Sequence, residues 1–156
     1  MGNYDLICQR VELWREGKNP YFIHEFKHTI FVVGDHQFYK GYSLLLLKKH
    51  VREIHELTPE EFLEMQHELF IAGKAIFDTF LPWKMNYQCL GNKEEHVHWH
   101  ILPRYESDSY HKTLPFIDFV KGEKVLEDFM ISNSEAIAIA KKIRKTLLES
   151  TLQIVR

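Results

Sequence analysis

His96, His98 and His100 alternate with large apolar residues in the run His96-Val97-His98-Trp99-His100-Ile101-Leu102-Pro103-Arg104. Each imidazole can serve as nucleophile, proton carrier or metal ligand near neutral pH. Alternation is the period of an extended chain, so a strand over His96–Leu102 places the three rings on one face. Val97, Trp99 and Ile101 then supply core on the other. Three imidazoles along one strand face read as an active site. A metal centre is the first alternative. His96 and His100 are four residues apart, about 13 Å along a strand at roughly 3.3 Å per residue. A zinc–imidazole bond spans only about 2.0–2.1 Å, so two of the rings could share one ion but three are disfavoured. Nucleophilic attack on a nucleotide phosphate fits better: one ring attacks while its neighbours bind and polarise the oxygens. A structural row of histidines exposed on an edge is the remaining reading.

The elements that must position this row follow from local pattern. Residues 5–16 space Leu6, Ile7, Val11 and Trp14 as a helix, ending near Gly17 and Pro20. Tyr21–Glu25 and Thr29–Val33 are β-rich, Gly34-Asp35-His36-Gln37 is a turn, and Ser43–Leu47 suits a strand buried on both faces. Thr58-Pro59-Glu60-Glu61 starts a helix: Thr58 caps, Pro59 takes the first position and Glu61 completes a capping box. Phe62, Met65, Leu69, Gly73, Ile76 and Phe80 line one face of that helix until Leu81-Pro82 stops it; Gly73 lets it approach the sheet closely. Lys84–Leu90 and His96–Leu102 form an antiparallel pair across Gly91–Glu95. Tyr105–Lys112 reads as a polar loop, and Ser132 with Glu135 opens a helix to about Glu149, with Ala136, Ile139, Ile143 and Leu147 on one face. Strands and helices mix without regular βαβ alternation, which gives an α+β fold with a mainly antiparallel sheet, a long helix packed on it and a C-terminal helix.

At 156 residues the chain is expected to form one domain, and 45% hydrophobic residues can fill its core. A net charge of −2, from 20 basic and 22 acidic residues, supplies no electrostatic reason for a nucleic-acid or membrane-surface partner. His24, His28, His36, His55, His67 and His111 read as surface residues. Cys8 and Cys89 form no disulfide framework. The N-terminal MGNYDLICQRVELWREG interrupts every apolar stretch with charge, and it lacks the hydroxyl residue of a myristoylation signal. The longest apolar run, Leu44–Leu47, is far short of a membrane span. A cytoplasmic location is expected.

The histidine run resembles the signature of the histidine-triad family of nucleotide hydrolases and transferases. Further likeness lies in Phe31-Val32-Val33-Gly34-Asp35, in Gly41 before the Leu44–Leu47 strand, in Lys49-His50 after it, and in Leu57 with the acidic helix start. Asn86…Leu90-Gly91-Asn92 is most similar to a bacterial branch that hydrolyses diadenosine tetraphosphate. The resemblance is strongest over residues 5–105, leaving 106–156 as a C-terminal extension. It implies a homodimer acting on nucleoside phosphates, with no cofactor required for the chemistry. His98 would attack the α-phosphorus and form a covalent nucleotidyl-imidazole, which water then releases. His100 would bind or protonate phosphate oxygens, and histidine rather than glutamine there favours hydrolases. His96 would orient its neighbours or hold the sheet geometry. Flanking positive charge would keep His98 neutral, so activity should fail at acidic pH.

The resemblance also implies that Asp35 binds ribose hydroxyls, although a simple turn accounts for it equally, and that Asn92 contacts phosphate or merely favours the turn after Gly91. Two departures stand out: Tyr42 follows Gly41 where many members carry histidine, and Asn92-Lys93-Glu94-Glu95 replaces a Gly-Gln-Ser/Thr run. Some bacterial relatives hold a structural zinc on Cys-x-x-Cys, the histidine after the second strand and the first triad histidine. Asp5, Cys8, His50 and His96 occupy those places, with carboxylate for one thiolate; a lone buried Cys8 is the alternative. Phe116 and Phe119 could line the leaving-group side or extend the dimer contact. Dinucleoside polyphosphates lead as substrate class, nucleoside phosphoramidates follow, and a nucleotide-binding sensor with little turnover is the rival from outside catalysis.

Overall fold

A computed structural model of the chain describes residues 5–108, 112 and 124–154. Helix α1, Leu6–Arg15, starts where the Asp5 carboxylate accepts from the Cys8 backbone N–H, and it buries Ile7 and Val11. Three strands follow: β1, Phe22–Glu25; β2, Thr29–Val33; and β3, Ser43–Leu47. A short 3-10 turn at Ile54–Glu56 leads to α2, Pro59–Phe80. The predicted box closes α2 at its start: the Glu61 N–H donates to Thr58 Oγ1, and the Thr58 N–H donates to the Glu61 carboxylate. Leu81, in the left-handed region at φ 50°, ends it. Strands β4, Lys84–Gln88, and β5, His98–Arg104, precede the short helix α3, Lys124–Glu127, and α4, Asn133–Ile154. Ser132 and Glu135 cap α4 by the same reciprocal exchange.

The strands form one antiparallel sheet in the order β1-β2-β3-β5-β4. Register decides which side chains share a face, because directly paired residues point the same way. Leu46 pairs with both Ile30 and His98, and Leu44 with both Val32 and His100. His98 and His100 therefore share a face with Ile30, Val32, Leu44 and Leu46, against which α1 packs Ile7 and Val11. The opposite face carries Ile23, Phe31, Leu45 and Ile101, with Trp99 packed alongside, under Leu69 and Ile76 of α2 and Ala140, Ile143 and Leu147 of α4. Arg144 of α4 also donates to the carbonyls of Ile23 and Phe22, tying α4 to β1. Gly73 performs the expected close approach: a Cβ there would lie 2.3 Å from the Tyr87 hydroxyl of β4.

Several expectations need correcting. Strand β5 begins at His98, not His96, and runs on through Pro103 and Arg104. Its pairing with β3 stops at Ser43↔Ile101, while Met85 of β4 still pairs with Pro103; a residue without an N–H is tolerated where one side has no partner strand. Strand β4 stops at Gln88, short of Leu90, and α4 runs past Glu149 to Ile154. Nothing in the sequence pattern announced α3. His36, expected at the surface, is buried with 8% exposure, and its ring stacks on Tyr42 with centroids 4.7 Å apart. His28 is half-buried and pairs with Glu64, and His24 is half-buried, whereas His55 and His67 are exposed as expected. His111, Phe116 and Phe119 lie outside the described residues.

Candidate active site and metal cluster

Backbone carbonyls fix the proton positions of two rings. The His98 Nδ1–H donates to the His96 carbonyl at 2.6 Å, and the His96 Nε2–H donates to the Leu47 carbonyl at 2.9 Å. A carbonyl only accepts, so each nitrogen that meets one must carry the hydrogen. On a neutral His98 the lone pair then lies on Nε2, which faces His100 Nε2 at 3.2 Å. This is the arrangement a nucleophilic imidazole needs: one nitrogen anchored through its hydrogen and the other carrying a lone pair, here turned to the His100 ring. His98 retains 6% exposure. Burial, helped by His98 and His36, pushes the His100 pKa down to about 3, so that ring is neutral at physiological pH.

His100 is held from its other side. The Tyr42 hydroxyl lies 2.7 Å from His100 Nδ1, and the two rings are within 8° of parallel. Reading the sequence assigned no role to Tyr42, yet a signal existed. A period-two step back from Leu44 puts residue 42 on the face that Leu44 shares with His100. Burial raises the Tyr42 pKa, with Asp35 adding to the effect, so its hydroxyl keeps its proton.

His96 belongs to a second cluster. Its bare Nδ1 lies 3.3 Å from His50 Nδ1, 3.4 Å from Asp5 Oδ2 and 3.5 Å from Cys8 Sγ. His50 Nδ1 is in turn 3.1 Å from Asp5 Oδ2 and 3.4 Å from Cys8 Sγ. Tetrahedral zinc with bonds of about 2.0–2.3 Å has ligand-to-ligand edges of about 3.3–3.7 Å. The four donors lie close to those edges, and Asp5 Oδ2 is buried without a hydrogen-bond partner. A buried carboxylate oxygen set at ion-pair distance from two imidazoles, with no well-aligned hydrogen bond of its own, is what a cation would satisfy. Burial raises the Asp5 pKa, but the Cys8 N–H and the nearby imidazoles outweigh it, and Asp5 ends below the usual carboxylate range. Burial lowers the pKa of His96, which keeps it a neutral ligand. Burial and then Asp5 raise the Cys8 thiol, which an ion would have to deprotonate. The residues thus suit a divalent ion of the zinc type.

Asp35 and Asn92 fare differently. Asp35 pairs with Arg10 of α1 at 2.6 Å, and the Arg10 guanidinium lies 4.6 Å over the Tyr21 ring. Tyr21, Val32, Leu44, Leu46, Arg10 and Asp35 line an apolar cleft on the sheet face that carries His98 and His100. Sequence reading missed Arg10. Asn92 is exposed in the connection between β4 and β5.

Residues 17–107 match the HIT domain family. Over 90 residues the chain is 31% identical to Protein hit of Bacillus subtilis, a stretch that is 53% of this chain and 61% of that protein, less than two thirds of its length. The fold is similar to a histidine triad nucleotide-binding protein from Sulfolobus tokodaii, with TM-score 0.70 and 18% identity over 91% of this chain and 93% of that one. It is also similar to a zinc-bound histidine triad family protein from Mycobacterium smegmatis, with TM-score 0.65 and 18% identity over 97% of each chain. A third similar structure is the diadenosine triphosphate hydrolase of Plasmodium falciparum, with TM-score 0.63 and 17% identity over 83% of this chain and 78% of that one. At such identities these structures speak for the fold alone. The family match extends over more than half of the sequence and includes the whole of β5 with its histidines, and on that ground the chain belongs to the HIT domain family.

Proposed function

We propose that this chain hydrolyses nucleotidyl–phosphate bonds through a covalent nucleotidyl-His98 intermediate, with dinucleoside polyphosphates as the leading substrate class. The observation that carries the reading is the His98 ring, anchored by Nδ1–H on the His96 carbonyl with Nε2 turned to His100. In the first step His98 Nε2 forms a bond to the α-phosphorus, and the bond from phosphorus to the leaving phosphate oxygen breaks. The His100 Nε2–H stands where it can donate to a phosphate oxygen as charge develops. In the second step water attacks the same phosphorus, the P–N bond breaks, and a nucleoside monophosphate leaves with the His98 lone pair restored. Asp35, on the same sheet face as Leu44 and Leu46, would serve ribose hydroxyls once released from Arg10. The hydrolase from Plasmodium falciparum and the diadenosine tetraphosphate branch indicated by Asn86…Asn92 both favour the dinucleotide class.

Asp5, Cys8, His50 and His96 would hold zinc as a structural ion, which supplies a crosslink between α1 and the segment entering β5 rather than a reaction step. The zinc-bound protein from Mycobacterium smegmatis supports that assignment. Leu63, Phe70 and Phe77 recur at seven-residue spacing along α2 and are exposed at 66%, 66% and 44%. Beside them β4 is an edge strand. An apolar stripe of this kind supports a homodimer. No helix among the described residues is long and apolar enough to cross a membrane. A cytoplasmic location and a single domain over residues 1–156 are part of the same proposal.

The test is product analysis with a panel of dinucleoside polyphosphates and adenosine phosphoramidates. Nucleoside monophosphate should appear, and His98→Ala should slow its release roughly a thousandfold or more. Phosphoramidates consumed in preference would move the substrate class. Nucleotide binding without turnover by the unaltered protein would overturn catalysis in favour of a sensor.

A further inference from the structure

We infer that Tyr42 is a positioning residue, whose hydroxyl donates to His100 Nδ1 and so keeps the His100 ring proton on Nε2, beside the His98 lone pair. The inference rests on the reading of His98 as nucleophile and extends it to a residue outside the histidine row. The direction of each hydrogen bond follows from the carbonyl at one end. The His96 carbonyl accepts from His98 Nδ1–H, so a neutral His98 has only a lone pair at Nε2. The 3.2 Å contact to His100 Nε2 needs one hydrogen, which only His100 can supply. A neutral His100 has one ring hydrogen, and with that on Nε2 its Nδ1 is an acceptor. Tyr42, 2.7 Å away, must then be the donor.

The protein fixes Tyr42 from several sides. The ring is buried, with 5% exposure. His36 stacks on it at an interplanar angle of 25°. At Gly34 a Cβ would come within 2.3 Å of Tyr42 Cδ1, so the absence of a side chain makes room for the ring. The Gly34 N–H also donates to the Tyr42 carbonyl at 2.9 Å. A hydroxyl held this firmly can select one imidazole tautomer, much as a second partner orients the ring of a ligand or base. With the hydroxyl gone, His100 can move its hydrogen to Nδ1, and Nε2 no longer donates toward a phosphate oxygen bound at His98.

Two measurements test this. The first is the tautomer of His100, read from the 15N shifts and one-bond couplings of its ring in the protein without nucleotide. The unaltered protein should show Nε2–H, and Tyr42→Phe should show a shift toward Nδ1–H. The second is steady-state turnover, where Tyr42→Phe should lower kcat about 10–100-fold while KM changes by less. Nδ1–H on His100 in the unaltered protein overturns the inference, and so does an unchanged tautomer in Tyr42→Phe. A tautomer change without loss of kcat overturns the positioning role. The tautomer needs no substrate, so a protein that turns over no nucleotide but shows the predicted shift would refute the hydrolase reading and leave the hydrogen-bond assignment standing.

Discussion

Acid should destabilise this chain through a ring that the sequence placed at the surface. Burial pushes the His36 pKa down to about 4, from an ordinary value of 6.5. The unfolded chain therefore takes up a proton near pH 6.5, while the folded chain resists it until about pH 4. Where the unfolded state binds more protons, stability rises with pH. The His36 contribution is thus full above about pH 6.5 and is lost as the pH falls toward 4. At pH 4.5 the gap of about two pH units amounts to about 2.5 kcal/mol. His100, pushed down to about 3, acts with the same sign. Both rings contact Tyr42 and their losses should not add, so a variant is needed to isolate His36. His36→Phe keeps an aromatic ring against Tyr42 and removes the titration. Urea unfolding of both proteins at pH 7.5 and 4.5, with chelator present throughout, gives the change on acidification for each. The unaltered protein should lose about 2.5 kcal/mol more than His36→Phe. Equal losses would refute the assignment of acid sensitivity to this buried ring.

Three further outcomes are expected. After chelation, added zinc should raise the melting temperature; an ion at about a hundredfold excess over its Kd contributes about 2.7 kcal/mol, or roughly 5–10 °C for a chain of this size. Cys8→Ser should lose most of that rise, and a melting temperature indifferent to zinc would leave the Asp5–Cys8–His50–His96 cluster as a hydrogen-bonded group only. Gly34→Ala should cost about 1–3 kcal/mol, because its Cβ meets the buried Tyr42 ring with little room to yield; chemical denaturation showing no loss would mean that the ring moves freely. Sedimentation should show a dimer for the unaltered protein and a monomer for Phe70→Glu, which puts a charge on the exposed α2 stripe; a chain monomeric at micromolar concentration contradicts the dimer.

What could be read along the sequence was whatever depends on near neighbours. The period-two run put His98 and His100 on one face and Trp99 and Ile101 on the other, because a strand alternates whatever surrounds it. Thr58 with Glu61, and Ser132 with Glu135, announced both long helices, because a capping box closes within three residues. The zinc-type cluster was legible only through resemblance, since its donors come from residues 5, 8, 50 and 96. Tertiary structure decided the rest. The pairing of β3 with β5 set Tyr42 against His100, 58 residues away, and the packing of α1 brought Arg10 to Asp35. His36 is buried because Tyr42 stacks on it, a contact that no local periodicity encodes. His96 lies outside the strand, with Nε2 on the Leu47 carbonyl and Nδ1 in the cluster around Asp5, partners that come from residues 46 or more positions away. Local chemistry chose the elements and their caps, whereas the proton position on each histidine depends on groups that only folding brings within 3 Å or so of each ring.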